Sequence, residues 1–347
     1  MKYISLFAGI GGFDLALNRL GHECVYANEW DKYAGIIYNK RFGSIANDKV
    51  GGTRTFTDID ARDIKTVKTE EIPDHDLLVG GFPCQAFSIA GNRRGFDDTR
   101  GTLFFEIARI LADKKPRLFL LENVKGLLSH DKQNTLHVIL KTLDELGYDL
   151  QWQVLNSKNF GVPQNRERVF IVGHLRGTSR PEVFPIGKNS NPDIVLPTLT
   201  SRYYGGQANG GYIGHKPKQI IGGSQGNRVY DPSGVSTTIA SQAGGLGAKT
   251  GLYAISSSQR KDHVEIRVKS GEANTVTSSG GSLAKSMNFV AEGMKIRRLT
   301  PTECERLQGF PDGWTEGISD TQRYKCLGNA VTVNVVYEIA KRLTNVT

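Results

Sequence analysis

Apolar and polar positions follow two rhythms along the first half of the chain. Short apolar runs at Ile4–Phe7, Glu23–Asn28, Asp76–Val79, Leu118–Glu122 and Val169–Val172 read as strands. Phe13–Leu20, Asp31–Tyr38, Gly101–Lys114 and Gln133–Leu146 carry apolar residues at helical spacing. Strand and helix signals in alternation predict an α/β domain: a mostly parallel sheet with helices on both faces.

The rhythm is lost near residue 190. Asn191–Ile296 holds 17 of the chain's 40 glycines and no helical pattern of any length. Thr198-Leu199-Thr200-Ser201, Thr238-Ile239-Ala240-Ser241 and Thr275-Val276-Thr277-Ser278 are each followed by a Gly-Gly pair, 40 and then 37 residues apart. That near-period suggests a reused strand-and-loop unit. Helical spacing returns at Gly328–Leu343, where Val331, Val335, Ile339 and Leu343 share a face. The expected organisation is a catalytic domain, 1–190, completed by 322–347. A small irregular β-rich domain with its hinge, 191–321, is inserted between the two pieces.

Charge sharpens this division. The chain of 347 residues has a net charge of +9, and Asn191–Ile296 carries eleven basic and six acidic residues, +5 of that total. A basic, glycine-rich unit favours a polyanionic partner. Cys24, Cys84, Cys304 and Cys326 are scattered, with no Cys-x-x-Cys pair, so neither a disulfide framework nor a metal site is expected. A reducing cytoplasm fits that usage. No signal peptide and no stretch apolar enough to span a bilayer is evident.

Candidate chemistry gathers where strands end. Phe7-Ala8-Gly9-Ile10-Gly11-Gly12-Phe13 is a glycine turn between the first strand and helix. It lacks the third glycine of the dinucleotide fingerprint, because Asp14 stands there. Glu29 ends the next strand, where an acid can accept ribose hydroxyls, and Trp30 beside it offers a ring to stack on a purine. Asp63-Ile64 is expected to repeat this one strand later. Together these residues suggest an adenosine-containing cofactor with no pyrophosphate to cradle.

Leu77-Leu78-Val79 is closed by Gly80-Gly81 and followed by Phe82-Pro83-Cys84-Gln85. A thiol beyond a strand's carboxyl end sits where open α/β sheets bind ligands, although a lone cysteine is often only a buried apolar residue. Leu118–Leu121 leads to Glu122, and a carboxylate at the end of a buried strand is costly unless used or paired. In Gln164-Asn165-Arg166-Glu167-Arg168, alternate residues can project together.

These runs resemble, in order, those of the DNA (cytosine-5)-methyltransferases that use S-adenosylmethionine. Further matches are Arg100-Gly101-Thr102-Leu103-Phe104, Arg298-Leu299-Thr300-Pro301 with Gln308-Gly309-Phe310-Pro311, and Gly328-Asn329-Ala330-Val331. The resemblance spans nearly the whole chain except about 190–296, the stretch that the family varies for target recognition. It implies a Rossmann-like methyltransferase sheet, with S-adenosylmethionine lying against Phe7, Gly9, Gly11, Glu29, Trp30, Asp63, Ile64, Leu103 and Asn329.

It also implies that Cys84 attacks carbon 6 of a cytosine flipped out of duplex DNA. Glu122 would engage the amino group and ring nitrogen 3, Arg168 the ring oxygen, and Arg166 the surrounding loop and Glu122. Gln85, Ser88, Arg93 and Arg94 would lie on a loop closing over DNA. Arg202, Tyr203 and Arg228 would help the inserted domain read it. No metal is implied. A monomer, with any cognate restriction endonuclease acting separately, is expected.

A transfer-RNA cytosine-5 methyltransferase on the same motifs is the nearest alternative; the basic inserted domain favours the DNA reader. A zinc deaminase would need Pro-Cys-x-x-Cys, and Phe87 stands where its second cysteine would be. A silent DNA-binding module has no support while Cys84, Glu122, Arg166 and Arg168 are all present.

Overall fold

The computed structural model describes residues 1–43, 58–83, 103–179, 181–186 and 299–344, together with the backbone of six short strands between 219 and 297. Two compact units are distinguished: 1–160 with 167–212 and 331–347, and 161–166 with 213–330.

The first unit is built on six strands: β1 (Lys2–Leu6), β2 (Glu23–Asn28), β3 (Leu77–Gly81), β4 (Leu118–Val124), β5 (Tyr148–Asn156) and β6 (Glu167–Leu175). Their order across the sheet is β2-β1-β3-β4-β6-β5. β2, β1, β3 and β4 are mutually parallel, whereas β6 runs antiparallel to both β4 and β5. The helices are α1 (Gly12–Arg19), α2 (Lys32–Phe42), α3 (Leu103–Lys114), α4 (Asn134–Glu145) and α7 (Val333–Leu343).

Alternation along the strands puts helices on both faces. Ile4 and Leu6 of β1 enter one buried cluster with Phe104, Ile107, Ile110 and Leu111 of α3 and Ile139 and Leu143 of α4. Each such aliphatic or aromatic side chain contributes about 1.5–3 kcal/mol when fully buried. Tyr3 and Ser5 point the other way, and their hydroxyls reach Asp14 of α1. α7 packs on α1 on that side, and His22 Nε2 lies 3.0 Å from Thr344 Oγ1 just beyond the two helices.

Three elements depart from the sequence reading. β5 was not expected, because Gln151 and Gln153 interrupt its apolar pattern. Both glutamines are used: their side-chain oxygens accept from the backbone of Val183, Phe184 and Ile186, which covers that face of the edge strand. Asp63-Ile64 does not end a strand. Among the described residues an isolated bridge, Asn28 to Asp60, precedes it, and Asp63 caps a single 3-10 turn, Ile64–Thr66.

The last helix is also split. A helix of the second unit, α6 (Asp320–Asn329), stops before Ala330, whose extended backbone breaks the helix, and α7 restarts at Val333.

The second unit contains two further helices, α5 (Pro301–Leu307) and α6, and short strands. Four of these form one sheet, Met294–Arg297, Leu252–Ser256, Val229–Tyr230 and Gln219–Ile221 in spatial order, and Arg267–Val268 pairs with Phe289–Val290. Thr300 and Glu303 cap α5 reciprocally, with Pro301 at its first position. The three-part repeat falls outside the described residues. Among the described residues, no helix is long and apolar enough to cross a membrane.

Candidate active site

The glycine turn leaves β1 through three residues with positive φ: Phe7 at 54°, Gly9 at 59° and Gly11 at 82°. Gly11 is required for space as well. A Cβ there would lie 2.1 Å from the Phe42 ring of α2. Among the described residues a Cβ at Gly9 would meet Phe7 O alone, at 4.0 Å.

Glu29 follows β2 directly and holds this turn from below. Its Oε2 accepts from Gly9 N at 2.8 Å and its Oε1 from Asp31 N at 2.7 Å. Burial pushes the Glu29 carboxyl up, and these N–H donors oppose that shift. Trp30 is 70% exposed, an indole open on the surface next to a half-buried acid. Phe7, Gly9, Gly11, Glu29 and Trp30 are thus brought together.

Asp63 and Ile64 lie on the neighbouring corner. Asn28 Nδ2 fastens that corner to β2 by donating to Asp60 O and Arg62 O, at 3.0 and 2.9 Å. Ile64 is buried, and Leu103 opens α3 half-buried against the same core.

The ends of β3 and β4 form the second constellation. Gly81 and Glu122 are register partners in the parallel ladder. Asn123, buried, donates from Nδ2 to Phe82 O at 2.9 Å, fixing the backbone just before Pro83-Cys84. Reversal of β6 brings its first residues to this same edge, so Arg168 faces the end of β4. Arg168 Nε stands 3.1 Å from Glu122 Oε1, both side chains at most 15% exposed. Burial lowers the Arg168 guanidinium, and the Glu122 carboxylate counters it. Arg168 Nη1 also donates to Glu167 O at 2.8 Å, and Lys125 Nζ pairs with Glu167 at 2.8 Å.

Arg166 is among the largest fully buried side chains. Within the second unit its Nη2 donates to Gly328 O at 3.1 Å and to Ala330 O at 2.8 Å. It thereby grips the backbone on either side of Asn329, which is exposed at the end of α6.

Comparison with known proteins places the whole chain. The family model for C-5 cytosine-specific DNA methylases matches residues 1–345. The chain belongs to that family.

Its relatives include the Type II methyltransferase M.HhaI of Haemophilus parahaemolyticus, 37% identical over 98% of this chain and 93% of that protein. M.HpaII of Haemophilus parainfluenzae is 38% identical over 98% of this chain and 88% of that protein. Similar solved structures are the Spodoptera frugiperda DNMT2 triple mutant (TM-score 0.63, 21% identity, 99% of each chain) and a DNA modification methyltransferase encoded in an Escherichia coli prophage (TM-score 0.58, 21% identity, 100% and 99% of the two chains). At those identities they share the fold. This methylase is therefore an enzyme of the DNA cytosine-5 methyltransferase class, and the α/β architecture read from the sequence holds.

Cys84, Gln85, Ser88, Arg93, Arg94, Arg202, Tyr203 and Arg228 lie outside the described residues. Sequence reasoning gave no separate role to Gly81, which lies against Glu122, or to Asn123, which holds Phe82 O. The signals were present: a second glycine after the first, and an amide directly after the strand-end acid. Among the described residues no His, Cys, Asp or Glu cluster is suited to hold a metal.

Proposed function

We propose that this methylase transfers a methyl group from S-adenosylmethionine to carbon 5 of cytosine within a specific sequence of duplex DNA, through a covalent bond to Cys84. The observation that carries this reading is the buried Glu122–Arg168 pair at the strand edge from which Phe82-Pro83-Cys84 departs.

Carbon 5 of cytosine is a weak nucleophile. Addition of the Cys84 thiolate to carbon 6, with a proton supplied to ring nitrogen 3 from Glu122, turns the ring into an enamine. Carbon 5 then takes the methyl group. Loss of the proton on carbon 5 to a base expels Cys84 as thiolate, and nitrogen 3 returns its proton to Glu122, which restores the ring. Arg168 is suited to the ring oxygen while it orients Glu122. The cytosine must leave the helical stack to reach these groups, at a cost of about a few kcal/mol. Gln85, Ser88, Arg93 and Arg94 would follow it as a closing loop.

The chain's own residues fit the methyl donor. Glu29 offers a half-buried carboxylate to ribose hydroxyls, Trp30 an open ring to a purine, and the turn at Gly9 is uncrowded by the described residues. When bound, S-adenosylmethionine supplies an electrophilic methyl group on a sulfonium. We assign recognition of the DNA sequence to 191–321, whose Arg202, Tyr203 and Arg228 are candidate contacts, and catalysis to 1–190 with 322–347. The net +5 on Asn191–Ile296 supports that division.

The test is methyl transfer to duplex DNA and to transfer RNA, side by side, for the wild type and Cys84→Ala. DNA methylation abolished by the substitution, with specific DNA binding retained, is expected. Transfer to RNA alone, or persistent transfer by Cys84→Ala, would refute the reading.

A further inference from the structure

We propose that Arg109 is a positioning residue for the adenosine of the methyl donor, acting through the Asp63–Ile64 corner. The inference rests on the reading that this corner and Trp30 flank that adenosine.

The corner has little structure of its own. After the bridge at Asp60 the chain makes two isolated 3-10 turns, Ile64–Thr66 and Thr69–Glu71, and joins no strand until β3. Such turns leave backbone carbonyls poorly served. One guanidinium, reaching over from α3, serves them. Arg109 Nη2 donates to Ile64 O at 3.2 Å and Val67 O at 3.0 Å, and Nη1 to Thr69 Oγ1 at 2.7 Å. Nε donates to Glu106 Oε2 at 2.9 Å one helical turn back, which holds the plane of the fork.

The acceptors therefore span both 3-10 turns. At the far end Asn28 Nδ2 binds Asp60 O and Arg62 O. Asp63 and Ile64 lie between these two clamps, one from β2 beside Glu29 and one from α3. Arg109 thus sets where Asp63 and Ile64 stand relative to Trp30. It does so from the helix that begins at Leu103, the first described residue after the Cys84 segment. A rigid planar fork can reach the three acceptors at once, whereas a lysine ammonium is a compact charge on a flexible stem.

The experiment is calorimetric binding of S-adenosylhomocysteine, without DNA, to the full-length protein and its Arg109→Met, Arg109→Lys and Thr69→Val variants. Steady-state methylation is measured alongside. Arg109→Met is expected to raise the Kd about tenfold, the scale set by hydrogen bonds from a charged donor. Arg109→Lys should fall between it and the wild type. KM for S-adenosylmethionine should rise in parallel, with kcat at saturation within about twofold. If Arg109→Met fails to fold, Thr69→Val removes one neutral acceptor and should still raise Kd about two- to threefold. Wild-type Kd in a folded variant with only a lowered melting temperature would assign Arg109 a purely structural role and overturn the proposal. Failure of the wild type to bind S-adenosylhomocysteine would instead overturn the cofactor reading, and this inference with it.

Discussion

Gly81 and Glu122 face each other across β3 and β4, and a Cβ on Gly81 would lie 3.0 Å from Glu122 Oε2. The absent side chain on one strand is what gives the carboxylate on the next its place. Gly81→Ala would push Oε2 aside by a few tenths of an ångström while Oε1 stays tied to Arg168. Stability should change by less than about 1 kcal/mol, because the displaced atom ends a flexible side chain. Turnover should fall at least about tenfold, since small errors in placing a reacting group are amplified in rate. Thermal unfolding and single-turnover methylation decide this together; an unchanged rate would detach Gly81 from the placement of Glu122.

The Glu122–Arg168 pair makes a second, separable prediction. Glu122→Ala leaves a guanidinium buried without its carboxylate. The expected cost is about 3 kcal/mol, the low end for a broken buried pair, because both side chains keep some exposure. Glu122→Gln retains an acceptor for Arg168 and should cost less than half of that. Both should lose methylation by about 10²–10⁴-fold, the usual contribution of a positioned acid. Urea unfolding curves compared with rates would expose the contrary case, in which activity simply tracks stability across the two variants.

Asp14 gives a prediction in pH. Its carboxyl is fully buried and receives three hydroxyls, Ser5 Oγ at 2.9 Å, Tyr38 Oη at 2.8 Å and Tyr3 Oη at 3.2 Å, with the Cys24 thiol beside them. Cys24 adjoins the cluster through Tyr38, and no cation reaches it among the described residues. Tyr3 Oη also lies 3.1 Å from Asn18 Oδ1, and its single proton serves only one of these acceptors. A proton on Asp14 completes the set. Burial raises this carboxyl and the hydroxyl donors partly lower it again.

A raised folded value means that the stability supplied by neutral Asp14 is complete below its ordinary value of 3.8 and is lost as pH climbs through the folded one. Asp14→Asn keeps the shape without the titration. Its unfolding free energy relative to wild type should therefore rise from pH 4 upward and then level off. A flat or falling difference would contradict a neutral Asp14.

Glu305 in the second unit is fully buried with both carboxyl oxygens engaged by donors. It accepts from Gly313 N at 2.7 Å, Thr315 N at 2.8 Å and Arg323 Nη2 at 3.1 Å, and from the Thr315 hydroxyl. Glu305→Ala strands these donors, one of them charged, at a cost of about 3–5 kcal/mol. Hydrogen exchange should show the Gly313 and Thr315 amides losing protection first. Uniform loss across the chain would argue against a local role.

Much of this was legible in the sequence because it depends on local order. The glycine turn, Glu29 after its strand and Glu122 at the end of an apolar run are each decided by a few neighbours. β5 was hidden because Gln151 and Gln153 look like surface residues. They are engaged by the backbone of Pro181–Ile186, some thirty residues on. Asp14 read as a missing glycine, and its hydroxyl shell comes from β1 and α2. Arg109 carries no signal in the helical pattern of Gly101–Lys114, because its acceptors lie 40 to 45 residues upstream. Polar side chains bonded to distant backbone leave no periodic trace, so pattern reading passes over them.

The reversed strand also bears on the order in which the site is assembled during folding. β5 and β6 are antiparallel and separated only by residues 157–166, so their pairing closes a short loop. β4 pairs with β6 across residues 125–166, a longer-range event. The strand that carries Arg168 is therefore favoured to gain its ladder partner before its carboxylate arrives. The ion pair is then a late lock on a sheet half already made.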